Sequence, residues 1–192
     1  MLRYVWTHGG TSPHKKNPDV FELIIVPGFL CFSTFSNNCL YPKYNPKALA
    51  PATPPIINKL IKFNDIKTEV RFSNNTRFDF LLQNNKEKCF LEVKNVTLVR
   101  EKKMAEFPDA VTSRGTKHLN ELCNAKKKGY QSYILYLIQR EDCDSFKIAK
   151  DIDKKYKTAF DKALKSGVKI LCYDCKLSNE EIKLNNQINY EY

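Results

Sequence analysis

From residue 56 onward, the apolar and polar positions of the chain follow the spacing of an α/β domain. Apolar, aromatic and β-branched runs predict strands, which cover 69–72, 77–82, 89–93, 132–138, 168–173 and 182–188. Apolar residues three and four positions apart predict helices over 111–128 and 151–166, ended by Gly129 and Gly167. The alternation of strands and helices predicts one mixed sheet flanked by helices and joined by crossover connections.

The first predicted helix separates apolar from charged positions. Its buried stripe is predicted to consist of Leu119, Leu122 and Cys123. Its opposite, exposed side is predicted to carry a cluster of polar neighbours: Arg114, Lys117, His118 and Glu121. Asp109 or Thr112 is expected to cap this helix. The charged segment 100–110 precedes it and ends in a proline turn, so we predict a loop there.

The first 55 residues differ from the rest of the chain. They contain eight of the nine prolines, which argues against regular helix over most of the stretch. We predict two strands there, at 21–26 and 29–35, and then an extended linker over 41–55. A short helix is predicted to follow the linker, at 56–61. The sequence therefore divides into an irregular N-terminal segment, 1–55, and an α/β domain, 56–192.

The hairpin formed by 77–82 and 89–93 carries the candidate chemistry. Alternation is predicted to place three apolar residues on one face, Phe78, Phe80 and Leu82. The other face of that strand would carry Arg77, Asp79 and Leu81. In the second strand, Glu92 and Lys94 are predicted to point the same way. Charged side chains in an apolar hairpin need a partner, and a divalent cation is a common one.

A hard cation such as Mg²⁺ binds carboxylate and carbonyl oxygens. We therefore predict one ion held by Asp79, Glu92 and the backbone oxygen of Val93, with Lys94 orienting or deprotonating the attacking water. The spacing D-x12-E-x-K is short, and a half-exposed hairpin with solvated charges is the alternative interpretation.

Composition favours a polyanionic partner. The chain has 32 Lys and Arg against 21 Asp and Glu, a formal net charge of +11, and nucleic acid is the first candidate partner. No apolar run approaches the ~18 residues of a membrane helix, so we expect no membrane partner. The seven cysteines favour reduced thiols in a cytoplasmic protein. A lone C-x-x-C pair, Cys172 and Cys175, leaves a redox role as a minor alternative, and no small-molecule cofactor is evident.

Residues 69–175 resemble the sugar fermentation stimulation protein A (SfsA) family. The segments that carry the resemblance are 77–82, 92–98, 107–122, 152–156 and 167–171, of which 107–122 is the most specific. The resemblance implies a restriction-endonuclease-like core of the PD-(D/E)XK type and DNA binding. It puts Asp79, Glu92 and Lys94 on metal and catalytic positions and Glu69 on an upstream acidic position. It also implies an N-terminal OB-fold domain, for which 1–55 offers no counterpart, so we expect a truncated or rearranged N-terminus.

Three functions follow as hypotheses. The first is a DNA-binding protein that hydrolyses phosphodiesters with Mg²⁺ or Mn²⁺ and contacts DNA through basic residues, namely Arg77, Arg114, Lys117 and His118. The second is a non-catalytic DNA-binding regulator of sugar (maltose) metabolism genes, which the family name suggests. The third is an interaction module without nucleic acid. Asp109 is expected to reach the metal through water or only to cap the helix.

Overall fold

A computed structural model of the chain describes residues 65–177 and 182–191. Ten strands and two helices lie within these ranges. In chain order they are β1 (Asp65–Ser73), β2 (Thr76–Gln83), β3 (Lys88–Val96), β4 (Leu98–Glu101), β5 (Met104–Phe107), α1 (Ser113–Lys127), β6 (Gln131–Ile138), β7 (Ser145–Ile148), α2 (Lys154–Lys165), β8 (Lys169–Leu177), β9 (Ile182–Gln187) and β10 (Asn189–Glu191). The strands and linker predicted within 1–55 and the helix predicted at 56–61 lie outside the described residues.

The larger sheet has six strands in the order β1-β2-β3-β6-β8-β9. Strands β1, β2 and β3 form antiparallel pairs, whereas β3, β6 and β8 run parallel and are connected through the two helices. The central strand β6 is buried along almost its whole length, as its apolar sequence predicts. The prediction of an α/β fold with a mixed sheet and flanking helices is confirmed.

The predicted loop at 100–110 is wrong. Strands β4 and β5 pair there, and together with β7 and β10 they form a second sheet of four strands, in the order β10-β7-β5-β4. The charged sequence concealed this sheet because one of its acids is buried: Glu106 is 1% exposed and accepts hydrogen bonds from Nε and Nη2 of Arg100. The pairing of β5 with β7 joins residues about 40 positions apart, which local periodicity does not detect.

The two helices begin close together. Thr112 caps α1 by accepting the backbone N–H of Gly115, so the second of the two predicted caps is the observed one. Asp153 caps α2 through Tyr156 N–H, and its other oxygen accepts the N–H of Thr112 at 2.9 Å. One buried carboxylate therefore binds backbone groups at the start of both helices.

The helices pack on one face of the larger sheet. The predicted stripe of α1 is confirmed, since Leu119, Leu122 and Cys123 are all buried. They belong to a core that also includes Tyr136 of β6 and Tyr156 of α2, whose hydroxyl groups hydrogen-bond to each other at 2.7 Å. A second apolar cluster lies on the opposite face of the sheet, as the alternation along β3 and β6 requires.

The predicted alternation of β2 is wrong at one point. Phe80 and Leu82 lie in the cluster on the far face, but Phe78 packs with Leu81 and Phe90 on the helix face. The break occurs at Asp79. Backbone pairing of β2 with β3 ends at Phe80, and opposite Asp79 in β1 stands Glu69, with a φ of 52° in the left-handed region.

Gly115 lets α1 approach α2 closely. A Cβ built at this position would lie 2.9 Å from both Tyr156 Cε2 and Thr112 Cγ2, and Tyr156 is fully buried. We expect the Gly115→Ala variant to lose about 1–3 kcal/mol of unfolding free energy through overpacking, in spite of alanine's better helix propensity. Urea unfolding measures this, with Asn124→Ala on the exposed side of the same helix as the control. A Gly115→Ala variant as stable as wild type would contradict the close approach.

Candidate metal centre and nucleic-acid cleft

The buried carboxylate of Glu92 lies at the centre of the candidate site. Glu92 is 2% exposed, on β3, and its Oε1 accepts hydrogen bonds from Lys94 Nζ at 2.6 Å and from His118 Nδ1 on α1. Its other oxygen, Oε2, is buried and has no hydrogen-bond partner among the residues that the structure describes. The prediction that Glu92 and Lys94 point the same way is confirmed. Burial raises the pKa of Glu92, but Lys94 and His118 outweigh burial and hold that pKa below its usual range.

Asp79 lies beside Glu92 on the neighbouring strand. Its Oδ2 accepts a hydrogen bond from the backbone N–H of Val93 at 2.7 Å. This side chain therefore binds a backbone donor of β3 just beyond the last backbone pair of β2 and β3. Burial and, second to it, the negative charge of Glu92 raise the pKa of Asp79 to about 7, against the opposing effects of the Val93 N–H and Lys94. Two carboxylates on adjoining strands thus share one small region with only partial compensation of their charge.

An open cleft of about 750 Å³ reaches His118, the hydrogen-bond partner of Glu92, but Asp79, Glu92 and Lys94 do not line it. It runs between the β1–β2 turn and the first turns of α1, and its basic lining residues are Arg71, Arg77, Arg114 and Lys117. Glu69 and His118 also line it. The predicted site residues therefore form two groups that meet at His118. One group is the buried carboxylates with Lys94, and the other is the basic residues and Glu69 that line the cleft.

His118 is not on the exposed side of α1, where the sequence analysis placed it. It is 4% exposed, and its ring packs against Phe78 with the centroids 6.3 Å apart. His118 directly precedes Leu119 and so lies at the border of the buried stripe of α1. Periodicity alone therefore does not decide whether its side chain is buried or exposed. Lys94 pairs directly with Tyr136 across the parallel strands β3 and β6, and Tyr136 lies in the core beneath α1. Lys94 is therefore on the face of the sheet that α1 covers.

Two features of the cleft were not predicted. Arg71, on β1, was not among the candidate residues; its guanidinium donates to the backbone oxygens of Ser73 and Asn74. Lys117 reaches from α1 to the same turn and donates to Asn75 O at 2.7 Å. Arg71 precedes its partners by only two and three residues, so its contacts are local in sequence, whereas Lys117 and Asn75 are 42 residues apart.

Asp109 is exposed and does not cap α1.

The residues present fit a divalent cation that takes only a few of its ligands from the protein. Within 65–177 and 182–191 no three His, Cys, Asp or Glu side chains form a ready-made metal cluster. Two carboxylates remain, Asp79 and Glu92, and the unpartnered buried Oε2 of Glu92 is the acceptor that a cation would satisfy. Mg²⁺ typically uses one or two carboxylates and keeps several waters, in agreement with this donor set.

The other candidate motifs have structural explanations. Cys172 and Cys175 are both buried in β8 as free thiols, and burial raises the pKa of each, which disfavours the reactive thiolate. Among the described residues, neither helix is long and apolar enough to cross a membrane.

Strand order, flanking helices and the acid pair define an α/β core of the restriction-endonuclease-like class. Residues 46–181 match the SfsA family, described as the sugar fermentation stimulation protein RE domain. The chain therefore belongs to the SfsA family, and the resemblance seen in the sequence is confirmed.

Individual relatives agree with this assignment. A sugar fermentation stimulation protein homolog of Pelagibacter ubique is 57% identical over 137 residues, 69% of this chain and 59% of the relative. A homolog of Agrobacterium fabrum is 34% identical over 188 residues, 97% of this chain and 76% of the relative, so that this alignment reaches into residues 1–55. The structure of Pyrococcus furiosus SfsA in complex with Ca²⁺ is 26% identical, with a TM-score of 0.65 over 76% of this chain and 63% of that one. The alignments with the Pelagibacter and Pyrococcus proteins thus span less than two thirds of those proteins.

Asp79 is predicted to make the stability of the metal-free protein depend on pH. Its folded pKa of about 7 lies above the unfolded value, so its contribution to stability is fully present below about pH 4 and is lost as the pH rises through about 7. Relative to wild type, we expect Asp79→Asn to gain about 1–3 kcal/mol of unfolding free energy between about pH 4 and pH 8. Urea unfolding in a chelator measures the difference. The exposed Asp144, changed to Asn, serves as the control, and an equal difference at both pH values for Asp79→Asn would argue against the raised pKa.

Proposed function

We propose that this protein binds DNA and hydrolyses its phosphodiester bonds with Mg²⁺ or Mn²⁺. The observation that carries the proposal is the pair of adjoining carboxylates, Asp79 and Glu92, with the ammonium of Lys94 2.6 Å from Glu92 Oε1. The Pyrococcus relative was solved with Ca²⁺, which supports a cation site in the family. Reduced buried cysteines suit the cytoplasm as the place of action.

Each residue of the site has a role in this proposal. Asp79, Glu92 and the backbone oxygen of Val93 would hold the cation, with Glu69 as a further acidic group at the cleft. The bound cation would supply Lewis-acid stabilisation of the charge that develops on the phosphate. Lys94 would orient the attacking water with its ammonium or, after losing its own proton, accept a proton from that water as a neutral amine.

The cleft suits the phosphate backbone of a nucleic acid. Arg77, Arg114 and Lys117 line it, and Arg71 adds a fourth cation on the same surface. The chain as a whole carries a net charge of +11, so electrostatic attraction brings polyanions toward it. Phosphate contacts of this kind position a nucleic acid without reading its sequence.

Cutting of DNA is the first test. We expect the full chain to nick or linearise plasmid DNA in Mg²⁺ or Mn²⁺, and Asp79→Ala to lose roughly 100-fold or more of this activity, because an interaction made in the transition state is removed. Gel analysis of plasmid forms measures the rate. Asp144→Asn, which removes an exposed carboxylate just before β7, should cut like wild type.

Cutting that persists in Asp79→Ala would contradict the assignment of the site. Binding of DNA without any cutting would favour the alternative, a non-catalytic DNA-binding regulator of sugar (maltose) metabolism genes.

DNA affinity is the second test. We expect Arg114→Ala and Lys117→Ala each to weaken binding roughly 3- to 10-fold and to reduce the slope of log affinity against log salt by about one, since each removes one phosphate contact. Fluorescence anisotropy with labelled duplex DNA in Ca²⁺ measures both quantities. Lys102→Ala, in the β4–β5 turn, has the same change of charge outside the cleft and serves as the control. Equal effects of all three variants, or a flat salt dependence in wild type, would favour an interaction module without nucleic acid.

A further inference from the structure

His118 belongs to both parts of the site. Its ring nitrogen Nδ1 is hydrogen-bonded to Glu92 Oε1, and the residue also lines the basic cleft. Arg114 precedes it by one helical turn and Lys117 by one residue, so α1 carries the candidate DNA contacts and the partner of Glu92 on one rigid element.

The direction of the hydrogen bond to Glu92 is set by its partners. Lys94 Nζ and His118 Nδ1 both hydrogen-bond to Glu92 Oε1, and a lysine ammonium can only donate. An ionised carboxylate is acceptor-only, so Nδ1 of His118 carries the proton and donates it. Two donors on one oxygen fix the carboxylate in a single orientation and leave Oε2 without a partner within 65–177 and 182–191.

The ring itself has little freedom to move. His118 is 4% exposed and packs edge-on against Phe78, which is fully buried. One turn before it, Gly115 fixes the position of α1 against Tyr156. The backbone, the ring and the hydrogen bond therefore define one position for Glu92 Oε1 relative to α1.

We infer that His118 is a positioning residue for the cation site: it holds Glu92 so that Oε2 is presented to the metal. This inference rests on the proposed function of Asp79 and Glu92 as cation ligands. Groups that orient a metal ligand through a hydrogen bond commonly affect metal affinity by 10- to 100-fold when they are removed.

Three substitutions separate positioning from packing. In His118→Asn the amide nitrogen is attached to Cγ, as Nδ1 is, so the variant retains a donor near Glu92 Oε1. In His118→Gln the donor lies one bond further along the side chain. In His118→Phe the ring remains but the donor is lost. Asn124→Ala, an exposed change on the same helix, is the control for handling and folding.

Isothermal titration of the full chain with Mn²⁺, and separately with Ca²⁺, measures the effect. We expect His118→Asn to bind metal within about threefold of wild type, and His118→Phe and His118→Gln to bind roughly 10- to 100-fold more weakly. In the cutting assay the Mn²⁺ concentration for half-maximal rate should rise by the same factor. Thermal unfolding monitors folding, and if His118→Phe does not fold, the comparison of the Asn and Gln variants decides.

Equal metal affinity in wild type and in all folded variants would overturn the inference and leave the proposed function intact. Loss of affinity in His118→Asn as large as in His118→Gln would also overturn it, since a donor at the Nδ1 position would then be irrelevant. Absence of Mn²⁺ and Ca²⁺ binding in wild type would overturn the proposed cation site together with the inference.

Discussion

The site depends on the burial of one ionised carboxylate. Glu92 sits between the sheet and α1, where an isolated charge would be costly, and two donors converging on Oε1 make its ionised form favourable. That compensation comes from different parts of the chain: Lys94 is two residues away on the same strand, whereas His118 arrives from the helix. The helix must therefore dock correctly before the carboxylate is satisfied, so folding and the assembly of the site are linked.

Asp79 is compensated far less. It receives one backbone N–H, while Glu92 and Glu69 add negative charge around it. The left-handed backbone of Glu69 and the break in alternation of β2 occur at the same level of the sheet, where β2 stops pairing with β3. Such departures from regular geometry concentrate at functional sites, because the surrounding structure carries their cost. A bound cation would relieve the repulsion among these acids, which is the physical basis of the proposed function.

Periodicity predicted the elements whose signals are local. The strands of the hairpin, the apolar β6 and the stripe of α1 were all recognisable because burial on one or both faces leaves a regular pattern. It failed where one residue reverses the pattern: Asp79 shifts Phe78 to the helix face, and Glu106 makes a buried strand look like a charged loop. Of the site, the acids and Lys94 followed from strand spacing, but the contact of His118 with Glu92 joins residues 26 apart in sequence and needed the docked helix.

Asp153 connects the starts of the two helices. By holding the N–H of Thr112 and that of Tyr156 with its two oxygens, it ties their first turns into one mechanical unit. The hydroxyl contact of Tyr156 with Tyr136 extends that unit to the central strand. A displacement of the first turn of α1 would therefore be transmitted to α2 and β6. Local opening at the start of either helix would break hydrogen bonds that belong to both, so the two first turns should open together.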